Sequence, residues 1–186
     1  DWLSSSLKSF RTAREKEFKK HIALSLKGEY QNWFYVYGPL GTGKSFAFAA
    51  FLNDQARKGK RVAFLNANKR FDELKGLAIK DKMKFDRTMQ ELSSLDCLAI
   101  DDFGSEFKSD YVRDQIVIPL LTERSKKHKI TLFASDYSLA EVEQLYSTRY
   151  GANILARKLV DIIRNNLKSD EGEYRLERGL ENFVSR

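Results

Sequence analysis

The chain has 186 residues, of which 42% are hydrophobic and 32% charged, and its formal net charge is +7 at pH 7. This length suits one α/β domain with a sizeable core, and the hydrophobic content with only two prolines argues against a disordered chain. No apolar run approaches the roughly 20 residues of a membrane-spanning helix, so no membrane partner is expected, whereas the positive charge is compatible with a polyanionic partner.

Cysteine and histidine are scarce. Cys97 is the single cysteine, so it cannot form a disulfide within the chain, which fits a reducing compartment and predicts a cytoplasmic protein. His21 and His128 are far apart and provide no metal-ligand cluster. The sequence begins with Asp1 rather than Met, and we therefore expect it to be part of a longer protein.

The leading segment, residues 1–27, is predicted to contain an amphipathic helix. Apolar residues recur at helical spacing from Leu7 to Leu26. The opposite face is basic and carries Lys8, Arg11, Lys16, Lys19 and Lys20. We expect this helix to pack on the sheet with its basic face in solvent, and contact with nucleic acid is the alternative.

A phosphate-binding motif follows the first predicted strand. Residues 33–37 are aromatic and β-branched, as in a buried strand, and residues 46–52 have the composition of a helix. Between them, the sequence GPLGTGKS of residues 38–45 fits the pattern G-x-x-x-x-G-K-[ST]. An ordinary glycine-rich turn is the alternative, but strand, loop and helix in this order are the context that the motif needs.

The residue types in this loop have chemical reasons. Gly41 and Gly43 let the backbone curl so that successive N–H groups point at one anion, and the next helix directs its positive dipole end there. Lys44 is predicted to reach the β- and γ-phosphates of ATP or ADP, and the Ser45 hydroxyl to ligate Mg²⁺. The other predicted nucleotide contacts are Gly38, Pro39, Thr42 and Phe46.

A strand is predicted over residues 61–66, and residues 69–85 are expected to form a solvated helix–loop–helix. The apolar run of residues 97–100 then ends in Asp101 and Asp102, which predicts a buried strand carrying two carboxylates to the carboxyl edge of the sheet. Asp101 is placed to hold Mg²⁺ beside Ser45, directly or through water. Asp102 is the candidate that orients and polarises the attacking water.

The remaining elements complete an alternating pattern. A long helix is predicted from Tyr111 to Lys127, with an interruption at Pro119, and further segments are a strand at 130–135, a helix at 153–166 and a short strand at 173–177. Asp136 follows the first of these strands and is either a sensor of the γ-phosphate or a turn residue. Alternating strands and helices predict a parallel α/β sandwich.

Several stretches resemble the AAA+ domain of bacterial helicase loaders of the DnaC/DnaI type. They are residues 37–45, 98–106, 111–114, 131–138 and 156–164. The resemblance implies an AAA+ P-loop NTPase domain over residues 1–186, with a parallel five-stranded sheet sandwiched by helices and no carboxyl-terminal lid. It further implies an ATPase that helps to place the replicative DNA helicase on single-stranded DNA during primosome assembly, with a helicase-binding domain preceding these residues.

The resemblance also carries residue roles. Arg164 matches the arginine that reaches a neighbouring subunit's ATP site, which implies assembly into a ring or spiral; a solvated arginine at a helix end is the alternative. Ser109 and Tyr111 resemble a pair that some loaders place along single-stranded DNA; a tyrosine packed under its own helix is the alternative. Two residues depart from the family pattern, because Asp136 stands where loaders usually have Asn and Ile162 where an arginine is often found.

Two other functions remain open. A transposition helper ATPase of the related IstB type shares the phosphate-binding motif of residues 38–45, here called the phosphate loop, and the basic surface. In such proteins, however, the acidic pair that corresponds to Asp101 and Asp102 is more often Asp-Glu. A P-loop kinase acting on a small molecule would need a lid or a charged acceptor pocket, and neither is visible in the sequence.

Overall fold

The computed structural model describes residues 20–24, 32–105, 109–147, 153–167 and 173–176. Its elements in chain order are β1 Phe34–Tyr37, α1 Lys44–Arg57, β2 Val62–Asn66, α2 Ala67–Lys80, α3 Lys82–Ser94, β3 Cys97–Asp101, a π-helical segment Val112–Val117 that continues as α4 Ile118–Lys126, β4 Ile130–Ser135, α5 Leu139–Tyr146, α6 Asn153–Arg164 and β5 Glu173–Arg175. Residues 20–24 are helical, and the rest of the predicted amino-terminal helix lies outside the described residues.

The strands form one parallel sheet in the order β2-β3-β4-β1-β5. This arrangement confirms the predicted parallel α/β fold with five strands. The register pairs Tyr37 with Ser135 and Asn66 with Asp101, so the strands end nearly level. Because all strands run in one direction, the loops that follow them meet at a single carboxyl edge, where ligands bind in open parallel sheets.

Alternate residues of each strand supply two separate cores, one on each face of the sheet. Tyr35, Ile100 and Phe133 pack on the face covered by α2 to α6. Val36 and Leu132 pack on the opposite face, mainly against α1. Burial on both faces explains why the central strands β1, β3 and β4 are mostly apolar along their length, whereas the edge strand β5 alternates in polarity. Among the described residues, none of the helices has the length and apolar content needed to cross a membrane.

A buried arginine ties the amino edge of the sheet together. Arg124 of α4 is fully buried. Its guanidinium donates to four neutral acceptors, which are Thr131 Oγ1 at 2.9 Å, Leu92 O at 2.7 Å, Leu95 O at 2.9 Å and Ile130 O at 2.6 Å. Burial lowers the pKa of Arg124 to about 10, so it remains charged at neutral pH.

A second buried arginine belongs to the Val-Arg-Asp sequence of the π-helical segment. Arg113 is 2% exposed, and it forms ion pairs with Asp114 at 2.6 Å and Asp110 at 3.1 Å. It also donates to Tyr146 O at 2.8 Å, which ties the π-helical segment to the end of α5. This motif therefore has a structural role in the fold.

Two features of the helices differ from the sequence-based expectation. The irregular part of the helix predicted over 111–127 precedes Pro119: Ile118 donates to Arg113 O in π-helical register, and Pro119 lies in the first turn of α4. Helix α5 was not predicted. Its signal was a capping box, in which the Ser138 side chain accepts from the N–H of Glu141 and the Glu141 side chain accepts from the N–H of Ser138.

Candidate functional site

The loop between β1 and α1 depends on glycine for two different reasons. Gly41 and Gly43 have φ angles of 83° and 89°, in the left-handed region. At Gly38 the chain after β5 approaches closely, so that a Cβ atom would lie 2.1 Å from Leu176 O. No side chain caps the amino terminus of α1, and its first turn contains no acidic residue. The N–H groups of this turn are therefore suited to an anionic ligand.

Lys44 lies at the wall of this loop rather than in solvent. Its side chain is 8% exposed. Its ammonium donates to three acceptors, Gly38 O at 2.5 Å, Pro39 O at 3.0 Å and Asp136 Oδ1 at 3.2 Å. The loop after β1 and the turn after β4 thus meet at a single cation.

Ser45 and Asp101 are brought together as the sequence predicts. The Ser45 hydroxyl donates to Asp101 Oδ1 at 2.9 Å. Burial and, secondarily, the charge of Asp102 raise the pKa of Asp101, whereas the hydrogen bond from Ser45 lowers it. The described residues contain no group of three or more His, Cys, Asp or Glu side chains that could hold a metal. The two adjacent oxygens nevertheless fit Mg²⁺, which usually takes only one or two protein ligands together with phosphate and water.

Asp102 has a partner that the sequence analysis missed. It directly follows β3 with φ of 54°, an uncommon angle for a residue with a side chain. The Asn66 amide donates to Asp102 Oδ2 at 2.5 Å, and the Asn66 oxygen accepts from the N–H of Lys69 at the start of α2. The available signal was the position of Asn66, a polar residue that ends the strand paired with β3.

The turn after β4 is fixed against the turn after β3. Ser135 is buried and its hydroxyl donates to Phe103 O at 2.6 Å, while the N–H of Phe103 donates to Ala134 O at 3.0 Å. The Ser135 oxygen also accepts from the N–H of Tyr137 at 3.0 Å. These contacts position Asp136, whose side chain is about half exposed, so that its carboxylate reaches Lys44.

One pocket collects most of the predicted site residues. It has a volume of about 240 Å³. Its walls are formed by residues 40–46 together with Asp101, Asp102, Ala134, Ser135 and Asp136. The Thr42 hydroxyl donates to Pro39 O at 3.1 Å and stabilises the loop, and Phe46 is exposed at the pocket wall. The phosphate loop and both members of the acidic pair therefore face one cavity.

The other predicted functional residues lie away from this pocket. Arg164 at the end of α6 is partly exposed, and its guanidinium lies 3.8 Å from Glu143 and 4.0 Å from Asp161. The Ser109 hydroxyl accepts from the N–H of Val112 at 3.1 Å, as a helix cap does. Tyr111 is 39% exposed.

Comparison with known proteins identifies a family whose description includes ATP binding, which fits a phosphate-binding loop. A sequence model of the family described as IstB-like ATP binding protein matches residues 7–181. The replicative helicase loader DnaI of Bacillus subtilis (strain 168) is 27% identical over 113 residues, which cover 61% of this chain and 36% of that protein. The chain therefore spans about a third of the length of that curated relative.

Solved structures show the same fold at low identity. A crystal structure of DnaI is similar with a TM-score of 0.77 and 19% identity, covering 94% of each chain. A crystal structure of the DnaC helicase loader is similar with a TM-score of 0.71 and 20% identity, covering 92% of this chain and 96% of that chain.

Proposed function

The chain belongs to the family of IstB-like ATP binding proteins, and on this premise we propose that it is a Mg²⁺-dependent ATPase that assists in placing a replicative DNA helicase on single-stranded DNA. In this proposal residues 1–186 act as a single AAA+ domain. One observation supports the ATPase part above all others. The hydrogen bond between Ser45 and Asp101 joins the phosphate loop to the acidic pair across one pocket.

The residues of the pocket divide the chemistry among them. The N–H groups of the loop and of the first turn of α1 bind the phosphates, and Lys44 exchanges one of its present acceptors for a phosphate oxygen. Ser45 and Asp101 would hold Mg²⁺, which when bound supplies positive charge to the phosphate oxygens. Asp102 is the acceptor that orients a water for attack on the γ-phosphate. The Asn66 amide occupies one oxygen of Asp102 and so limits its availability to that water.

The helicase and DNA parts of the proposal rest on similarity and on charge. The relative from B. subtilis is called a replicative helicase loader, and this chain carries a net charge of +7. We place single-stranded DNA along Ser109 and Tyr111, where the exposed ring of Tyr111 could stack on a base. The Ser109 hydroxyl accepts from the N–H of Val112, so Ser109 caps the helical segment that carries Tyr111. In this proposal Ser109 lies beside the DNA and holds that segment in place.

A transposition helper ATPase is the second candidate function, because the matching family is itself described as IstB-like. Both candidates use the same nucleotide site and a DNA surface, so they differ in the protein partner. A loader would bind the replicative helicase, and a transposition helper would bind a transposase.

The test measures ATP turnover by the whole protein with Mg²⁺, alone and with single-stranded DNA, and compares the wild type with Asp102→Asn and Tyr111→Ala. We expect Asp102→Asn to bind ATP and to lose about a hundredfold in turnover. We expect Tyr111→Ala to keep basal turnover and to lose the response to DNA. Normal turnover by Asp102→Asn in the presence of Mg²⁺ would contradict the assignment.

The partner is identified separately by co-sedimentation with the purified replicative helicase or with a transposase. Retention of the helicase alone favours the loader, and retention of the transposase alone favours the alternative.

A further inference from the structure

Asp136 brings a negative charge to the place where phosphate is expected. Its Oδ1 lies 3.2 Å from Lys44 Nζ, and the residue forms part of the pocket wall. A carboxylate can accept hydrogen bonds but, when ionised, cannot donate one to a phosphate oxygen. Without a bridging cation or water, Asp136 therefore repels the phosphate groups of a bound nucleotide, and Lys44 is the cation that it contacts in this structure.

The ammonium of Lys44 has three N–H donors, and the structure provides three acceptors for them. Two of these acceptors, Gly38 O and Pro39 O, are carbonyls whose positions are fixed by the loop backbone. The third belongs to the Asp136 side chain, which is 47% exposed and can rotate into water. A phosphate oxygen that binds Lys44 therefore replaces Asp136 more readily than it replaces either carbonyl.

The charges around the pocket are unevenly distributed. The charged side chains of its wall are Lys44 and the carboxylates of Asp101, Asp102 and Asp136, which give a net charge of −2 when all are ionised. A magnesium ion held by Ser45 and Asp101 would offset the charge on that side. In the part of the chain that the structure describes, Lys44 is the cation that contacts Asp136. A phosphate that takes Lys44 from Asp136 thus leaves two negative groups facing each other.

We propose that Asp136 determines nucleotide preference, because its carboxylate competes with the terminal phosphate of ATP for Lys44 and so weakens ATP binding relative to ADP binding. The inference rests on the proposed nucleotide site at the phosphate loop. ADP lacks the γ-phosphate, so Lys44 can bind its β-phosphate with less charge near Asp136. ATP brings the additional phosphate, and with it the additional repulsion, to the same ammonium.

The test measures the dissociation constants of Mg-ATP and Mg-ADP by calorimetry for the wild type, Asp136→Asn and Asp136→Glu. We expect Asp136→Asn to bind Mg-ATP about tenfold more tightly, a change that corresponds to about 1.4 kcal/mol, and Mg-ADP less than threefold more tightly. Asp136→Glu keeps the charge and should retain the wild-type ratio of the two constants. Asp136→Ala serves as a second neutral variant if Asp136→Asn does not fold.

Asp86→Asn is the matched control, because it removes the same charge from an exposed carboxylate that pairs with Lys82 on α3 and does not line the pocket. It should change neither constant. Equal changes for both nucleotides in Asp136→Asn, or weaker ATP binding, would overturn the inference while leaving the nucleotide site intact. If neither nucleotide binds the folded wild type, the proposed site and this inference both fail.

Discussion

Two buried cations lie at opposite edges of the same sheet and have partners of different kinds. Arg124 at the amino edge is fully buried, and its four acceptors are three backbone carbonyls and the hydroxyl of Thr131. Lys44 at the carboxyl edge is 7% exposed, and one of its acceptors is the carboxylate of Asp136, which is about half exposed. Both residues are charged, and charged residues usually lie at the protein surface rather than in the interior.

The difference separates a cation that holds the fold from one that can bind a ligand. All the acceptors of Arg124 belong to elements fixed by the core, so none of them can be exchanged without disrupting the fold. Lys44 has one acceptor that can leave into water at small cost, which frees an N–H for a phosphate oxygen. The partners of a buried cation therefore indicate its role better than its burial does.

The largest expected effect concerns Arg164, an exposed cation held by the carboxylates of Glu143 and Asp161 at 3.8 and 4.0 Å. Such partners are exchangeable, and we expect Arg164 to leave them and stabilise the γ-phosphate in a neighbouring copy. Arg164→Ala should then keep the ATP affinity of the monomer and lose about a thousandfold of any assembly-dependent turnover. The measurement is the dependence of turnover on protein concentration.

Mixing distinguishes action on a neighbour from action within one chain. Arg164→Ala and Lys44→Ala are each inactive in this account, but one type of interface between them combines an intact phosphate loop with an intact arginine. Partial recovery of turnover is expected in the mixture. Lys158→Ala, on the exposed side of the same helix, should behave as the wild type. Normal turnover by Arg164→Ala at high concentration would show that the arginine is not used.

The next effect is on stability and concerns Arg124. Arg124→Met removes the guanidinium donor from four acceptors, two of them in buried and two in partly buried hydrogen bonds, and we expect the free energy of unfolding to fall by about 3 kcal/mol. Arg124→Lys keeps the charge but offers three donors to four acceptors, so it should lie between Met and the wild type. Urea denaturation measures both variants. If Arg124→Met is as stable as the wild type, Arg124 does not hold the fold together, and the distinction drawn between Arg124 and Lys44 is wrong.

Lys44→Ala tests the carboxyl edge of the sheet, where we expect a large loss of ATP affinity and only a small loss of stability. ATP affinity should fall about a hundredfold, which corresponds to about 2.7 kcal/mol. Stability should fall by about 1–2 kcal/mol, less than in Arg124→Met, because two carbonyls rather than four acceptors lose this donor and Asp136 can be solvated after the change. Titration with a fluorescent ATP analogue and urea denaturation give the two values. Lys60→Ala, at an exposed lysine outside the pocket, should change neither, and a large loss of stability in Lys44→Ala would make Lys44 structural.

The contrast also explains which parts of the molecule could be predicted from its sequence. The phosphate loop and the run ending in Asp101 and Asp102 are local patterns, because one short stretch contains both the strand and the functional group. The parallel sheet follows from the alternation of such stretches. The predicted parallel sheet is confirmed, and the phosphate loop lies beside Asp101, because the information for each element lies within about ten consecutive residues.

The features that were missed depend on contacts between distant residues. Arg124 meets Leu92 and Leu95 only after α3 and α4 pack together, and no local pattern distinguishes it from a surface arginine. Asn66 meets Asp102 because β2 and β3 are neighbours in the sheet, although 36 residues separate them in the chain. Helix α5 was a different kind of omission, since its capping box is local and was overlooked.

The smallest expected effect concerns Asn66, whose amide holds an oxygen of Asp102 and whose own oxygen caps α2. Asn66→Ala removes both contacts, whereas Asn66→Ser can still cap the helix but is too short to reach Asp102. Both variants should raise basal ATP turnover two- to fivefold, because a freed carboxylate accepts more readily from water. Only Asn66→Ala should lose stability, by about 1 kcal/mol, because only it lacks the cap. Measuring turnover and urea denaturation on both variants separates the two roles. A fall in turnover in Asn66→Ser would mean that the amide positions Asp102 for reaction rather than restraining it, and the carboxyl edge would then depend on fixed partners in the same way as the amino edge.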